Sequence, residues 1–287
     1  MNLSTLSMAT RVLVALILAG LASARAVHAQ GGPISSAGAT GDAQQTLNSR
    51  QWMLRMRANG TDARNVDSKE QAAYKAFYAA QDAEKRIQLG QAFLQKYPSS
   101  LLLGAVYAGL VQTYYAKQDW NNFYASADKA LAANPDNVDV LTTVGWVIPH
   151  AYHPDDPNAE RNLDKAETYE KHAIDVIGKM TKPEGITDAQ FGAFKNEELS
   201  EAHSGLGLVY FRRQDFEESV KELQQSMQGA ATPDATDLFV LGLGLQNLDR
   251  NREAADAFSR CAQIQGSLQD QCKQSADAVK KLAGPSK

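Results

Sequence analysis

The chain has 287 residues, of which 44% are hydrophobic and 22% are charged, and its formal net charge is -4 at pH 7. This mild acidic excess argues against a nucleic-acid-binding protein, because such a surface needs clustered lysines and arginines to displace counterions from phosphates. At this length a single compact core would normally split into domains, whereas an elongated repeat protein is not limited in that way.

Residues 1–29 have the layout of a cleaved export signal. Arg11 precedes the apolar run Val12 to Leu21, and small residues follow up to Ala29, the expected cleavage point, with Ala24 as a second possible site. An uncleaved anchor is the alternative, but the run is shorter than the roughly 20 residues that span a bilayer. We therefore expect an exported, soluble protein, periplasmic or secreted, whose mature chain has no transmembrane segment.

Residues 30–67 are expected to form a flexible leader, because they are rich in Gly, Ser, Ala, Thr and Gln and have no sustained helical period. The apolar patch Trp52 to Arg57 interrupts this composition. It could form a short docking helix or fold back onto the body of the protein, and the sequence leaves both possibilities open.

From Ser68 onward, apolar residues recur with the helical period and no alternating strand pattern occurs, so every predicted element is a helix. Two helical pairs come first, each ended by a proline that a continuing helix does not accommodate. The first pair is Ser68 to Ala80 and Ala83 to Tyr97, and the second is Ser100 to Lys117 and Trp120 to Asn134.

Two turns share an acidic residue before a helix and an aromatic residue at its start, namely Gln118-Asp119-Trp120 and Gln214-Asp215-Phe216. An aspartate in that position caps free backbone amides and contributes about 1 kcal/mol. Gly207 and Gly242 also recur, 35 residues apart, and leucines flank each of them. Glycine inside a helix costs about 1 kcal/mol relative to alanine, so these two positions predict close approach of a neighbouring helix.

With these features the chain resembles the tetratricopeptide repeat family from Ser68 to about Gln265. The matching positions are Tyr107, Leu110, Val111, Tyr114, Phe123, Ala127, Ala130 and Pro135, then Leu206, Gly207, Tyr210 and Phe216, and finally Leu241, Gly242, Leu245, Ala254 and Phe258. The resemblance implies an all-α fold, a right-handed superhelical solenoid of antiparallel helix pairs that bury their apolar faces against the next pair, with a C-terminal capping helix.

The middle pair departs from this pattern through two insertions. Its first helix fits the repeat, but Ala166 and Ala173 in the second helix arrive about nine residues late, which places an insertion at residues 149–158. A further insertion at residues 179–199 predicts an extended next helix, from near Thr187 to Arg213. Insertions of this kind lie on one rim of a solenoid, where we expect the features that distinguish this protein.

His150 and His153, with the acids that follow them, offer a ligand set for zinc. Pro154 breaks the helix that would align the two imidazoles, and the sequence identifies no second element that supplies further ligands. We therefore expect a polar loop, with no bound metal and no cofactor.

The Gly-Leu-Gly segments at Gly207 and Gly242 superficially resemble phosphate-binding loops, but no strand precedes them, so a helical role is expected. His203 falls on an apolar face and is expected to pack there with a hydrogen bond rather than to act in catalysis. Because no nucleophile lies beside a plausible base, we expect no enzymatic activity.

Cys261 and Cys272 are the only cysteines, and Gln265-Gly266-Ser267 between them is typical of a helix turn. Nearly equal distances from that turn favour a disulfide across an antiparallel pair in an oxidising compartment, and two buried thiols are the alternative. The bridge would hold the final helix, Leu268 to Leu282, within a capping segment of residues 266–287 over the end of the stack.

In the tetratricopeptide repeat family, the first helix of each pair lines a concave groove. The resemblance implies these groove residues: Tyr115, Trp146, Phe211, Arg212, Phe239, Gln246 and Asn247. Rigid aromatics would contact a partner, and the polar side chains would hold a peptide backbone or a terminal carboxylate. The alternative is that the long inserted helix covers Trp146 and Phe211, since aromatics at helical spacing are usually core residues.

The expected function is that of an exported adaptor, which binds a protein or peptide partner through the concave groove. A structural scaffold for envelope complexes, acting through its convex surface and leader, is the alternative function.

Overall fold

The computed structural model describes residues 66–183, 185–229 and 233–283. The predicted export signal and the predicted leader up to residue 65, with its Trp52 to Arg57 patch, lie outside these residues, as does the tail after Ala283. The described residues form eleven α-helices and no β-strand, which confirms the all-α prediction.

The helices follow one another through turns and loops. Their bounds are α1 (Ser68–Ala79), α2 (Ala83–Lys96), α3 (Leu103–Lys117), α4 (Trp120–Ala133), α5 (Val138–His150), α6 (Ala159–Lys179), α7 (Asp188–Arg212), α8 (Phe216–Gly229), α9 (Ala235–Asn247), α10 (Asn251–Cys261) and α11 (Gln269–Ala283). None of the helices in the described part of the chain has both the length and the apolar composition that crossing a bilayer requires.

The helix bounds differ from the predicted ones at two informative places. α3 begins at Leu103 rather than Ser100, because the Ser100 hydroxyl accepts the Leu102 N–H at 3.1 Å and holds a turn before the helix. α5 continues through Pro149 to His150, so the inserted loop begins two residues later than predicted. The extended helix predicted from near Thr187 is present as α7.

Three turns between paired helices have the same backbone geometry. Gln118, Gln214 and Asp249 adopt the left-handed conformation, with φ of 57°, 63° and 59°. The next N–H in each turn returns to a carbonyl of the preceding helix: Asp119 to Tyr114, Asp215 to Tyr210 and Arg250 to Leu245. This is the Schellman arrangement that ends helices, so the turn is repeated along with the helices.

The predicted aspartate caps are present after two of these turns. The Asp119 carboxylate accepts the Asn122 N–H at 3.2 Å, and the Asp215 carboxylate accepts the Glu218 N–H at 3.3 Å. Arg250 occupies the same position before α10 and makes no side-chain cap.

The described residues form two compact units. The N-terminal unit contains residues 66–144 and 172–194, and α1 to α4 pack consecutively within it. Its core includes the fully buried side chains of Phe77, Phe93 and Phe123. Burying one such side chain contributes about 1.5–3 kcal/mol, which supplies the packing energy that short helices lack alone.

The C-terminal unit contains residues 145–171 and 195–283, and α8 to α11 pack consecutively within it. A Cβ atom on Gly207 would lie 2.5 Å from Leu223 Cγ, and one on Gly242 would lie 2.5 Å from Phe258 Cε1. Both glycines lie inside helices, which excludes the phosphate-loop alternative. The predicted close approach of a neighbouring helix is confirmed at both positions.

Cys261 ends α10 and Cys272 lies in α11, and the two sulfur atoms are at disulfide-bonding distance, with the Cα atoms 5.7 Å apart. Both side chains are fully buried. The pair joins α11 to α10 at the place where the sequence predicts a bridge.

Candidate partner-binding site

The aromatic residues predicted for the groove lie in the core. Tyr115, Trp146, Phe211 and Phe239 expose only 5%, 5%, 8% and 2% of their surface. Phe239 packs against Phe258, with ring centroids 5.6 Å apart. For Trp146 and Phe211 this burial corresponds to the alternative of core residues, and all four aromatics have little surface left for a partner.

Gln246 and Asn247 lie at the end of α9 and are more accessible. Gln246 is half-buried and Asn247 is exposed. The Asn247 amide donates to the carbonyl of Leu243 at 2.8 Å, which holds its side chain along the helix. A binding role for these two residues stays a prediction.

Arg212, in the last turn of α7, is the charged residue among those predicted for the groove, and its side chain is half-buried. Its Nε donates to the carbonyl of Pro149 at 2.8 Å, and its guanidinium lies over the ring of Tyr152, 5.4 Å from the centroid. Pro149 belongs to the last turn of α5 and Tyr152 to the loop after it. The inserted segment thus fixes the position of the guanidinium.

The half-buried Arg212 guanidinium contacts no carboxylate of the described residues. Burial lowers the pKa of Arg212 to about 10, and the interaction with Tyr152 only partly opposes this shift. The side chain is therefore still a cation at pH 7. Its two terminal nitrogens have no hydrogen-bond acceptor within the described residues.

Arg213, the next residue, has the opposite environment. Its Nη2 lies 2.5 Å from Asp164 Oδ1, its Nε lies 3.5 Å from Glu160 Oε2, and its Nη1 pairs with Glu167. Burial alone would lower the pKa of Arg213, but the bond to Glu167 and the charges of all three acids raise it. Consecutive helical residues point about 100° apart, so one guanidinium meets α6 and the other the end of α5.

Glu167 is the centre of the pairing around Arg213. Burial would raise its pKa, but hydrogen bonds from Lys171, Arg213 and Tyr210 outweigh this and lower the pKa to about 2. The Tyr210 hydroxyl donates at 3.1 Å and Lys171 Nζ lies 2.5 Å away. Both cations of this cluster, Arg213 and Lys171, are therefore paired with acids within the fold.

Glu170 is a core feature that sequence reasoning missed. Its side chain is fully buried, and a Cβ atom would lie 2.4 Å from its Oε1 if built on Gly145 and 1.9 Å if built on Gly205. Once the nine inserted residues are subtracted, Glu170 follows Gly145 at the same separation in sequence at which Leu223 follows Gly207. In both pairs the side chain lies against the glycine. The sequence signal that could have identified it is the position of Glu170, a carboxylate on the apolar stripe between Ala166 and Ala173.

A second buried polar group joins α7, α8 and α9. The hydroxyls of Ser204 and Ser226 each donate to the Asp237 carboxylate, at 2.6 and 2.7 Å. His203 bonds separately to Glu222 at 2.6 Å, in the hydrogen-bonded packing role that was predicted. Neither serine is paired with this histidine, so the contacts connect helices and do not activate a nucleophile.

The two histidines considered for zinc have different surroundings. His150 is buried, with its ring 3.6 Å from that of Trp146 and its Nδ1 2.7 Å from the Trp146 carbonyl. His153 is exposed and lies beside Asp155. In the part of the chain that the structure describes, no three His, Cys, Asp or Glu side chains converge as metal ligands.

Arg212 therefore offers free, directional N–H donors and a positive charge on a rigid frame, which is the chemistry that binds a carboxylate. Comparison with known proteins finds no matching protein-family model and no similar curated protein.

Proposed function

We propose that this chain is an exported helical-repeat adaptor, which binds an acidic segment of a protein partner at Arg212 and carries out no reaction. The observation that supports the proposal is the contrast between neighbours: Arg213 contacts three acids, and Arg212 contacts no acid of the described residues. A partly buried charge is costly unless it is paired. A carboxylate of the partner would supply the missing pair, in the two-point geometry that guanidinium groups favour.

The frame around Arg212 supports a binding role. The Pro149 carbonyl and the Tyr152 ring hold the guanidinium in place before any partner arrives. Such preorganisation reduces the side-chain ordering that binding would otherwise require, about 0.5–1.5 kcal/mol for a long side chain. Arg212 lies on α7, which is the first helix of its pair.

The proposed architecture is a right-handed superhelical solenoid of the tetratricopeptide type. Three observations support it: the Schellman turn recurs, the paired glycines face the second helix at equivalent positions, and the disulfide ties a last helix to the final pair. In such an architecture Arg212 would face the concave side. Export to an oxidising compartment is proposed from the predicted signal and from the cysteine pair.

The test is affinity capture of partners from cell-envelope extract, with the protein expressed from the full chain. Arg212→Gln removes the charge and keeps a donor for Pro149, and Lys273→Gln on exposed α11 surface is the control for charge loss. We expect wild type and Lys273→Gln to capture the same proteins and Arg212→Gln to lose those that bind at Arg212. Identical capture by all three proteins would refute the proposal.

Arg212→Gln also separates a binding role from a structural one. Since a half-buried unpaired charge is removed, the free energy of unfolding should stay the same or rise. If Arg212→Gln lost its captured proteins and also became less stable, the role of Arg212 would be structural instead.

A further inference from the structure

A surface cleft of about 570 Å³ lies between α8, α9 and α10 in the C-terminal unit. Its volume is within the range of roughly 300–1,000 Å³ that is typical of ligand sites. The residues lining it belong to three groups: Gln224, Met227 and Gln228 on α8, Leu241 and Leu245 on α9, and Arg252, Glu253, Asp256, Ala257 and Arg260 on α10.

The α10 wall of the cleft carries a regular row of charges. Arg252, Asp256 and Arg260 are four residues apart, so they follow one another along one helix face at steps of about 6 Å. All three side chains are exposed, and none forms an ion pair or a side-chain hydrogen bond with another described residue. Glu253, in contrast, is already paired with Arg250 at 2.6 Å.

The opposite wall and the floor have complementary properties. Gln224 and Gln228 are exposed on α8, one helical turn apart, and their side-chain amides make no hydrogen bond with the described residues. The floor is closed by the buried side chains of Leu241 and Leu245, and the half-buried Met227 on α8 is the accessible apolar side chain of the cleft. The cleft thus combines a wall of amides and one apolar side chain with an alternating charged wall.

We propose that this cleft binds an extended segment of a protein partner with the alternating pattern acid, apolar, base, apolar, acid. In an extended chain every second residue is about 6.6 Å further on, which matches the step between the charges of α10. The first and last of five residues are then about 13 Å apart, close to the roughly 12 Å between Arg252 and Arg260. The two acids meet the arginines and the base meets Asp256.

The amide wall favours an extended segment over a helix. An extended segment has backbone N–H and C=O groups without partners, and each glutamine amide offers both donors and an acceptor to them. A helix satisfies most of its own backbone groups and would leave these amides unused. Successive side chains of an extended segment point to opposite sides, so the intervening apolar side chains would point away from α10, toward Met227 on the α8 wall. This surface is separate from Arg212, so the inference does not depend on the function proposed above.

The test uses two labelled peptides and the protein expressed from the full chain. One peptide contains Asp-Val-Lys-Val-Asp between Gly-Ser flanks, and the other contains the charge-reversed Lys-Val-Asp-Val-Lys. Fluorescence anisotropy measures the affinity of each for wild type, for Arg252→Glu/Arg260→Glu, and for the control Lys273→Glu/Lys280→Glu. The control makes the same change in net charge on exposed α11 positions.

Wild type and the control should bind the acidic-ended peptide at least about tenfold more tightly than the reversed peptide. Arg252→Glu/Arg260→Glu should reverse this preference, and Arg212→Gln should leave it unchanged. Equal affinity for the two peptides, or no binding of either, would overturn the inference, as would an unaltered preference in Arg252→Glu/Arg260→Glu. Tighter binding of a helix-stapled peptide with the same charges four residues apart would overturn the extended geometry.

Discussion

Gly242 on α9 and Phe258 on α10 are in such close contact that a Cβ atom on the glycine would lie 2.5 Å from the phenylalanine ring. Gly207 and Leu223 repeat the arrangement one pair earlier, at the same distance from the connecting turn. In the α3 and α4 pair the equivalent positions hold Val111 and Ala127, both buried. In that pair the larger residue lies on the first helix and the smaller one on the second, which is the reverse of the other two pairs. In all three pairs a large residue on one helix therefore lies opposite a small residue on the other.

This exchange predicts a rescue experiment. Gly242→Val should lower the free energy of unfolding by about 1–3 kcal/mol, because the added methyl groups overlap Phe258. Phe258→Ala alone should cost about 3–5 kcal/mol through the cavity it leaves. Together they recreate the Val111 and Ala127 arrangement, so the double variant should be more stable than the two costs combined predict, by at least about 1 kcal/mol. Urea unfolding of the four proteins measures this coupling, and strict additivity would contradict the equivalence of the pairs.

A second prediction compares two glycines of α7. Gly205→Ala should destabilise the protein by about 1–3 kcal/mol, because its Cβ would lie 1.9 Å from the buried Glu170 carboxylate. Gly192→Ala is the matched control, since nothing lies within 4 Å of its Cβ position. That variant should gain up to about 1 kcal/mol from the better helix propensity of alanine. Thermal unfolding distinguishes the two, and similar shifts for both would contradict the position of Glu170.

The disulfide predicts a local effect. Cys261→Ala/Cys272→Ala should reduce the free energy of unfolding by about 3 kcal/mol or less, because the bridged residues are only 11 apart in the chain. Hydrogen exchange should accelerate most in α11, which the bridge joins to α10, and stay unchanged in α1 and α2. Uniform acceleration across the protein, or none, would mean that the bridge does not hold the final helix specifically.

Glu167 predicts a pH dependence. Its pKa is lowered from the ordinary 4.5 to about 2, so its ionised form stabilises the folded state above pH 4.5. This contribution should disappear as the pH falls from 4.5 to about 2, because the carboxylate then becomes protonated in the folded state as well. Wild type should be more stable than Glu167→Gln at pH 7, and the difference should shrink across that window. A stability difference between wild type and Glu167→Gln that is independent of pH would show that the ion pair with Arg213 does not cause it.

The all-α fold was predictable, because the apolar period and the aspartate caps determine local structure. Gly207 and Gly242 also predicted the close approach of a neighbouring helix. Burial was harder: a helical stripe at Trp146 and Phe211 indicates a face but not whether another helix covers it. The resemblance selected Arg212, yet its lack of an acid could be seen only once Arg213 was placed against α6.

The cleft residues were missed for a different physical reason. Arg252, Asp256 and Arg260 have the same pattern in sequence as any solvated helix face. Only the packing of α8 opposite α10 turns that face into one wall of a concave surface.

We propose that Arg212, which contacts no acid of the described residues, is held in place for a carboxylate of a partner. The most direct measurement is the composition of the peptides selected from one random displayed library, with Arg252→Glu/Arg260→Glu as the background so that the cleft on α10 does not select acidic residues. The protein that retains Arg212 should enrich Asp, Glu or a free C-terminus at one position, and the protein that also carries Arg212→Gln should lose that enrichment while it unfolds at an unchanged or higher temperature. The same acidic enrichment in both proteins would contradict the account.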